Sequence, residues 1–418
     1  MPTRSDARFR RTAAALPALA LALGVVPAGC AAGDSTRLGP VVRDSAGIEI
    51  VENRAPAWDD DDRWTISPAP QLQIGVLDGE AAYQLDGVRG AVRLRDGRIV
   101  IANGGSSELR IYDPSGRHIR TVGGEGKGPG EFDGLIWVGT LPGDTIVAWD
   151  WSAKRFSVFD PAGDFVRSAS IGTGGAFPQI LGVFTDGSFV INHGFTPVFA
   201  DGTHVGRDTI TLLRISGDGS AADTLGRVPG EERYSMTGGS GENRWATMGL
   251  RPFGRSASIS IHGDRIYIGV NDTYEIAVRD AAGALLRLVR KPHEPVPVTN
   301  ADIARIRERR LANARSDNAR REAERLLAEV PFPSFRPAFG DLRVDPDGFI
   351  WVQDYRIDPD DPSIWSIFDP DGRFLGTLEV PAGNRLLAVY RDAILTTWRD
   401  ELDVEYVRLY RLDRSRRG

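Results

Sequence analysis

One unit of sequence repeats along this chain, and it constrains the fold more than any other feature. Its clearest copy spans Leu342–Thr377, where short β-prone runs alternate with tight turns at Asp347-Gly348 and Asp371-Gly372. Asp-Gly suits such turns because glycine readily adopts the positive φ that they require. This copy therefore predicts a four-stranded antiparallel meander of about forty residues.

Two turn markers count the copies of this unit. The first marker is a Gly/Asp turn followed by an apolar run, and it occurs six times, at 96–97, 143–144, 186–187, 263–264, 347–348 and 391–392. The second is an outer turn of the Asp-Pro-x-Gly kind, and it occurs five times, at 113–116, 160–163, 216–219, 280–283 and 369–372. Proline pre-sets φ in that turn and glycine completes it. A sixth outer turn would fall near Leu412-Asp413, so the last unit is predicted to have three strands.

The missing fourth strand predicts how the fold closes. Two β-like segments, Gly47–Val51 and Trp64–Gly75, precede the first full unit. A ring of sheets closes when an N-terminal strand completes the last blade, which also removes exposed strand edges. We therefore predict an all-β fold, a six-bladed β-propeller over residues 47–414 whose last blade is closed by an N-terminal strand. The alternative, an open β-solenoid, does not explain the short last unit.

A helical insertion is predicted between the fourth and fifth blades. Residues 299–330 are rich in Ala, Arg, Glu and Leu and contain neither Gly nor Pro. Thr299 or Asn300 can cap the first helix, and Asp302 suits its N-terminal dipole. Residues 313–318 are predicted to divide the insertion into a helical hairpin. Its many arginines fit a solvated helix face, with a binding stripe as the alternative.

The N-terminus has the pattern of an export signal. Arginines 4, 8, 10 and 11 precede an apolar run of about 14 residues, Ala13–Val26, which is short for a bilayer span. Pro27-Ala28-Gly29-Cys30 then resembles the lipobox of bacterial lipoproteins, in which the cysteine is acylated. The resemblance implies a signal peptide over 1–29, a lipid (palmitate) on Cys30 and a tether over 30–46. The alternative is an ordinary secretory signal in which Cys30 is incidental.

Composition narrows the environment and the partners. Cys30 is the single cysteine, so the body must be stabilised by core burial rather than by disulfides. The net charge of −6 argues against nucleic-acid binding. We predict a monomer on the bacterial cell envelope that meets the membrane only through its lipid, with the outer membrane or periplasmic face preferred.

Two segments carry a family resemblance. Gly126–Phe132, which follows Thr121–Gly124, resembles the segment between blades of NHL-repeat six-bladed propellers, and its motif loop is Gly128, Pro129, Gly130, Glu131 and Phe132. Ile350–Asp354 and Ile367–Phe374 resemble the second half of the same repeat. With the lipoprotein signal, the chain is similar over residues 45–414 to six-bladed propeller lipoproteins of environmental bacteria. This resemblance implies a fold and no activity, because the fold hosts binders, scaffolds and enzymes.

Polar residues that end the second strand of a unit are the candidate metal ligands. Asn103, Asp150 and Asp354 are in register in three units, and they would surround one mouth of a central channel. Enzymes of similar fold, metal-dependent lactonases and amidating lyases, hold a divalent ion at that place. For this chain the resemblance implies calcium or zinc as the ion. The alternative is turn chemistry, because Asp and Asn cap strand ends. The five histidines show no metal-ligand spacing.

The sequence thus favours a lipid-anchored binding or scaffold module that displays a loop-built face to a protein, peptide or glycan partner. Two alternatives stay open. One is a metal-dependent lactonase- or lyase-like enzyme that acts in the central channel. The other is a structural or sensing component of the periplasm.

Overall fold

Antiparallel strands dominate the described chain. The structure is a computed structural model that describes residues 39–59, 62–172, 178–193, 201–241 and 244–414. Within these ranges the strands form six sheets, and the described residues belong to one compact unit. The predicted signal peptide and Cys30 lie outside the described residues.

The chain starts with four short strands that later join distant sheets. They are β1 (Val41–Ser45), β2 (Ile48–Glu52), β3 (Thr65–Ile66) and β4 (Leu72–Ile74), followed by a 3-10 turn at Ala81–Tyr83. β1 lies within residues 30–46, the predicted tether, so regular structure starts before residue 47.

Sheets 1 and 2 are four-stranded meanders. Sheet 1 contains β5 (Val88–Arg93), β6 (Ile99–Asn103), β7 (Glu108–Tyr112) and β8 (His118–Gly123). Sheet 2 contains β9 (Leu135–Leu141), β10 (Thr145–Asp150), β11 (Arg155–Phe159) and β12 (Phe165–Ser170).

Sheets 3 and 4 depart from the plain meander. Sheet 3 has a long central hairpin and a fifth strand: β13 (Gln179–Val183), β14 (Phe189–His193), β15 (Gly202–Ile215), β16 (Ala222–Gly238) and β17 (Trp245–Leu250). Sheet 4 contains β18 (Ala257–His262), β19 (Arg265–Val270), β20 (Glu275–Asp280) and β21 (Leu285–Arg290). The β1–β2 hairpin extends sheet 4, because β2 pairs in parallel with β21.

Sheets 5 and 6 complete the series. Sheet 5 contains β22 (Leu342–Val344), β23 (Ile350–Gln353), β24 (Ser363–Phe368) and β25 (Phe374–Val380); sheet 6 contains β26 (Arg385–Val389), β27 (Ala393–Arg399) and β28 (Glu405–Asp413). Both β3 and β4 pair antiparallel with β28, through Ile66 opposite Leu412 and Ile74 opposite Val407. The segment 64–75 therefore supplies the fourth position of sheet 6, whereas the segment 47–51 belongs to sheet 4.

The outer turns repeat because each uses the same aspartate geometry. Asp113 Oδ1 accepts hydrogen bonds from the backbone N–H groups two and four residues later, each at 2.9 Å. Asp160, Asp280 and Asp369 make the same pair of bonds. The glycine three residues after each aspartate has φ between +83° and +88°, a region that other residues rarely adopt. These turns satisfy their own backbone groups, so they can recur with different strands around them.

Successive sheets pack together in an order that closes on itself. The first strands of successive sheets contact one another, β5 with β9, then β13, β18, β22 and β26, and β26 contacts β5 again. Apolar clusters lie between consecutive sheets, including one that joins Ile101 of sheet 1 to Leu395 of sheet 6. A cavity of about 470 Å³ is lined from the ends of all six first strands. This arrangement is consistent with a β-propeller.

Two helices lie between β21 and β22, in the range predicted to be helical. They are α1 (Asn300–Ala312) and α2 (Asp317–Glu329), capped by Thr299 and Ser316. Asp302 completes a capping box with Thr299. Ile306, Leu326 and Leu327 pack with Tyr234 and Met236 of the long β15–β16 hairpin. The helices therefore form a separate small core with sheet 3.

Candidate functional site

Asn103 and Asp150 act as backbone acceptors at the ends of their strands. The Asn103 side-chain oxygen accepts the Asp86 N–H at 2.8 Å, and its amide donates to Ser106 Oγ at 2.7 Å. Asp150 Oδ2 accepts the Asp133 N–H at 2.8 Å. The two residues are 1% and 0% exposed. Each side chain thus fixes the loop that leads into the first strand of its own sheet.

The same device recurs in the next two sheets. Asn192 accepts the Gln179 N–H at 2.9 Å, and Asn271 accepts the Ser256 N–H at 2.7 Å. Four sheets therefore use an Asn or Asp at the end of their second strand, within one position of the same register, to bind the backbone at the start of their first strand. Turn chemistry alone is a sufficient reason for these residue types.

Asp150 should consequently be a stability residue. Replacing Asp150 with alanine removes the acceptor of the Asp133 and Ala153 N–H groups, whose hydrogen bonds are part-buried, and we expect the two losses together to cost about 1–3 kcal/mol. Asp150→Asn retains an acceptor and should lose less. Urea denaturation of the two variants measures the difference. If Asp150→Ala is as stable as the wild type, Asp150 is not a stability residue.

Asp354 breaks the pattern. It follows β23 in the register of Asn103, yet the loop before β22 is held by backbone groups instead, with Gly340 N–H donating to Gln353 O at 2.7 Å. Asp354 instead lines a cavity of about 220 Å³ together with Lys291, His293 and Tyr274. The three predicted ligands are therefore not brought together: Asp354 lines this cavity, and Asn103 and Asp150 are buried in their own sheets.

Burial dominates the electrostatics around Asp354. It raises the pKa of Asp354 and lowers the pKa values of Lys291 and His293. Lys291 Nζ donates to Ser366 Oγ at 2.9 Å and lies 5.0 Å from the centre of the Tyr274 ring. All of these shifts favour the uncharged forms, as expected for groups in a poorly solvated site.

A larger cavity of about 710 Å³, here called the mouth cavity, lies where the first strands begin. Its walls come from sheets 1, 2, 3 and 6 and from the β23–β24 loop of sheet 5. The charged and tryptophan side chains that line it are four arginines, two acids and three tryptophans: Arg89, Arg356, Arg385, Arg399, Asp360, Glu405, Trp137, Trp149 and Trp398.

The charges in the mouth cavity are unevenly compensated. Arg399 pairs with Glu405, whose other oxygen accepts the Val88 N–H at 2.6 Å. Within the described ranges, no carboxylate lies in salt-bridge distance of the remaining three arginines, Arg89, Arg356 and Arg385. Partial burial, with the nearby guanidinium of Arg343, lowers the pKa of Arg385. Arg385 itself donates to Thr397 Oγ1 at 3.3 Å and to the Val88 carbonyl at 3.2 Å.

The loop of the repeat motif has a packing role. Glu131 Oε2 accepts the Gly128 N–H at 2.7 Å, and the Glu131 carbonyl accepts from Arg155 at 2.6 Å. Phe132 is 0% exposed and lies in the core between sheets 1 and 2. Pro129 and Gly130 form the bend between Gly128 and Glu131, and Gly130 has a φ of +80°. The loop thus joins two sheets and anchors them with one aromatic side chain.

Two further observations concern metals and membranes. Among the residues that the structure describes, no group of three or more His, Cys, Asp or Glu side chains is arranged to hold a metal ion. The helices in the same part of the chain are each too short or too polar to cross a membrane. Cys30, the predicted lipid site, lies outside the described residues.

Lys291, His293 and three arginines of the mouth cavity, Arg89, Arg356 and Arg385 (the mouth arginines), were not predicted from the sequence as site residues. Lys291 could have been found by its rarity, because the 51 basic residues include only three lysines. The mouth arginines carry no such signal, since arginine is abundant throughout the chain.

The sheets and their closed order of contacts are those of the β-propeller class. No family model matches the chain, and no curated protein matches it. Solved structures resemble it weakly. A member of the DUF4221 family from Bacteroides vulgatus has a TM-score of 0.49 at 11% identity, covering 85% of this chain and 100% of that one.

Two enzymes resemble it at lower scores. A gluconolactonase from Xanthomonas campestris has a TM-score of 0.43 at 11% identity and covers 83% of this chain and 100% of its own. Virginiamycin B lyase from Staphylococcus aureus has a TM-score of 0.41 at 9% identity, with 84% and 99% covered. These scores carry no argument about activity, which must come from the chain's own residues.

Proposed function

We propose that this protein is a six-bladed β-propeller of the bacterial cell envelope, anchored by a lipid on Cys30, that binds a partner at the mouth cavity. The closed series of first-strand contacts supports six blades. The basic and apolar N-terminal segment ahead of Cys30 supports export and anchoring. The partner is a protein, peptide or glycan that presents anionic groups.

One observation carries the binding function. The mouth cavity holds three guanidinium groups without a carboxylate partner among the described residues, those of Arg89, Arg356 and Arg385. Arginine binds carboxylate or phosphate groups through its planar array of donors. Three arginines on one concave surface, hydrogen-bonded to neutral oxygens where they are bonded at all, therefore favour an anionic ligand.

The tryptophans of the cavity extend this argument. Trp137 and Trp398 are partly exposed, and both line the mouth cavity. The Arg408 guanidinium lies 3.5 Å from the centre of the Trp398 ring and supports it from one side. Exposed aromatic faces pack against sugar rings and peptide side chains. The surface thus combines charge recognition with apolar contact, as a ligand with acidic groups on an apolar frame requires.

Arg385→Gln is expected to weaken binding of an acidic probe. Each lost guanidinium contact to an anionic group should cost about 1.5–3 kcal/mol, which is roughly tenfold or more in Kd. Oligogalacturonate and poly-glutamate serve as acidic probes, with dextran as the neutral one. Because tryptophans line the cavity, intrinsic fluorescence titration reports binding directly.

Arg117→Gln is the matched control, because Arg117 lies on an outer turn and is 81% exposed. It should bind the acidic probes with the affinity of the wild type. Added salt should weaken probe binding to Arg117→Gln and to the wild type alike. Equal affinity of Arg385→Gln and Arg117→Gln for every probe would contradict an anion site at the mouth.

A metal-dependent lactonase or lyase is the second candidate. The observation in its favour is that Asp354, unlike Asn103 and Asp150, accepts no backbone hydrogen bond of the repeat kind from the residues that the structure describes. Divalent-metal content of protein purified without chelators tests it. A stoichiometric ion would support the enzyme, and the absence of bound calcium or zinc would remove this candidate.

A further inference from the structure

Two tryptophans that line the mouth cavity lie directly against glycines. Trp137 covers Gly139, two residues later in β9, and a methyl group on Gly139 would overlap the six-membered ring of Trp137. Trp398 lies beside Gly383, where an added Cβ would be 3.0 Å from the indole nitrogen. A glycine is needed at such places because the missing side chain lets the indole approach the backbone closely.

Both indoles are also held from a second side. Trp137 packs against the apolar core between sheets 2 and 3. The Arg408 guanidinium lies 3.5 Å from the centre of the Trp398 ring, and Arg408 Nε in turn donates to Gln73 Oε1 at 2.8 Å. Tyr406 flanks the Trp398 ring with the ring centres 5.4 Å apart. The two tryptophans therefore keep a fixed orientation, and both remain partly exposed at the cavity wall.

Fixed aromatic surfaces favour a ligand that is itself rigid. A pyranose ring presents an apolar face of C–H groups, and it packs on a fixed indole with little loss of conformational freedom. A glutamate side chain has several rotatable bonds, and ordering them on the same surface costs entropy. The two tryptophans therefore favour a sugar over an acidic peptide.

The polar groups of the cavity suit a sugar that also carries carboxylates. Among the described residues, the mouth arginines have no carboxylate within salt-bridge distance. Asp360 lines the same cavity, and its carboxylate makes no hydrogen bond or ion pair within the described part of the chain. A sugar hydroxyl can donate to Asp360, whereas the ionised side chains of an acidic peptide only accept hydrogen bonds. A ligand with both carboxylates and hydroxyls therefore matches the cavity better than one with carboxylates alone.

We propose that the ligand of the mouth cavity is a glycan that contains uronic acids, with sugar rings on Trp137 and Trp398 and carboxylates on the mouth arginines. This inference rests on the anion-binding function proposed for the cavity, and it selects a glycan over a protein or peptide. The cavity volume of about 710 Å³ lies within the range of roughly 300–1,000 Å³ that is typical of ligand sites. The cavity thus holds a short segment of the glycan.

Two acidic probes with the same number of carboxylates separate a glycan from a peptide. Oligogalacturonate and oligo-glutamate are titrated into the full chain by calorimetry at one salt concentration. Oligogalacturonate should bind at least about tenfold more tightly, because two aromatic contacts worth about three- to tenfold each add to the arginine contacts. Equal or weaker binding of oligogalacturonate would overturn the glycan and leave the anion site standing. Binding of neither probe would overturn both.

A glycine variant tests the fixed indole without removing an aromatic ring. Gly139→Ala should displace the Trp137 ring, weaken oligogalacturonate binding about three- to tenfold and leave oligo-glutamate binding unchanged. Trp398→Leu should have an effect of the same size. Gly238→Ala is the matched control, because Trp245 lies against Gly238 in the same way and neither of these two residues lines the mouth cavity.

The variants decide the inference even if one of them does not fold. Circular dichroism identifies a Gly139→Ala protein that is unfolded, and Trp398→Leu, which replaces a partly exposed side chain, then gives the answer. If the folded variants bind oligogalacturonate as tightly as Gly238→Ala does, the tryptophans do not contact a sugar and the inference is wrong.

Discussion

Replacing Arg414 with alanine should destabilise the folded unit by about 3–5 kcal/mol, because it leaves a buried carboxylate without its cation. Asp345 is 0% exposed, and Arg414 Nη2 lies 2.7 Å from its Oδ2. Arg414 also donates to Asp347 at 3.3 Å, and its guanidinium lies 4.4 Å from the centre of the Trp64 ring. The side chain thereby joins the end of sheet 6, a turn of sheet 5 and an N-terminal residue. Urea denaturation measures the loss.

Arg391→Ala is the matched control for Arg414→Ala. Arg391 binds the same Asp347 from outside and is 80% exposed, so solvent screens the pair and its removal should cost far less stability than removal of Arg414. Adding Asp345→Asn to Arg414→Ala should recover part of the lost free energy of unfolding, because it removes the buried negative charge that has no cation beside it. Similar destabilisation by the two arginine variants would show that Arg414 is an ordinary surface ion pair.

A chain that starts at Val76 should fail to unfold cooperatively. It lacks β3 and β4, which pair with β28, and it lacks Trp64, which is 6% exposed in the core between sheets 5 and 6. Loss of the last sheet's outer strands exposes an edge of β28 and a cavity where Trp64 packed, and a large buried aromatic alone is worth about 3–5 kcal/mol. Near-UV circular dichroism and urea titration report the outcome.

A chain that starts at Asn53 provides the comparison. It loses β1 and β2 from the edge of sheet 4 but retains Asn53, whose side chain donates to the Arg290 and Gly372 carbonyls and accepts the Phe374 N–H. It also retains β3, β4 and Trp64. We expect this chain to unfold cooperatively at a lower denaturant concentration. If both truncated chains unfold like the wild type, β3 and β4 do not close the fold.

The local devices of this protein could be read from its sequence. The outer turns depend on an aspartate and a glycine three residues apart, and those hydrogen bonds form within five residues. The cap Thr299 likewise acts within one turn of its own helix, where it accepts the Asp302 N–H. Such patterns predict strands, turns and the helical segment, because the residues that satisfy one another are neighbours in sequence.

The candidate sites could not be read in this way. Lys291 and Asp354 are separated by a helical insertion, and nothing in either local sequence indicates that they share a cavity. The mouth arginines come from three distant places, at 89, 356 and 385. Asn103, Asp150 and Asp354 look equivalent in sequence, yet only the packing of sheet 4 against sheet 5 gives Asp354 a lysine to face.

The sequence by itself determined the repeating unit, its turns and the shortage of one strand at the end, since each follows from residues close in the chain. Only the tertiary structure decided that residues 64–75 join sheet 6 while residues 47–51 join sheet 4. The tertiary structure also decided which aspartate does not hold the loop of its own sheet and which arginines have no carboxylate within salt-bridge distance. Burial and charge compensation depend on neighbours brought together across hundreds of residues, and no local pattern encodes them.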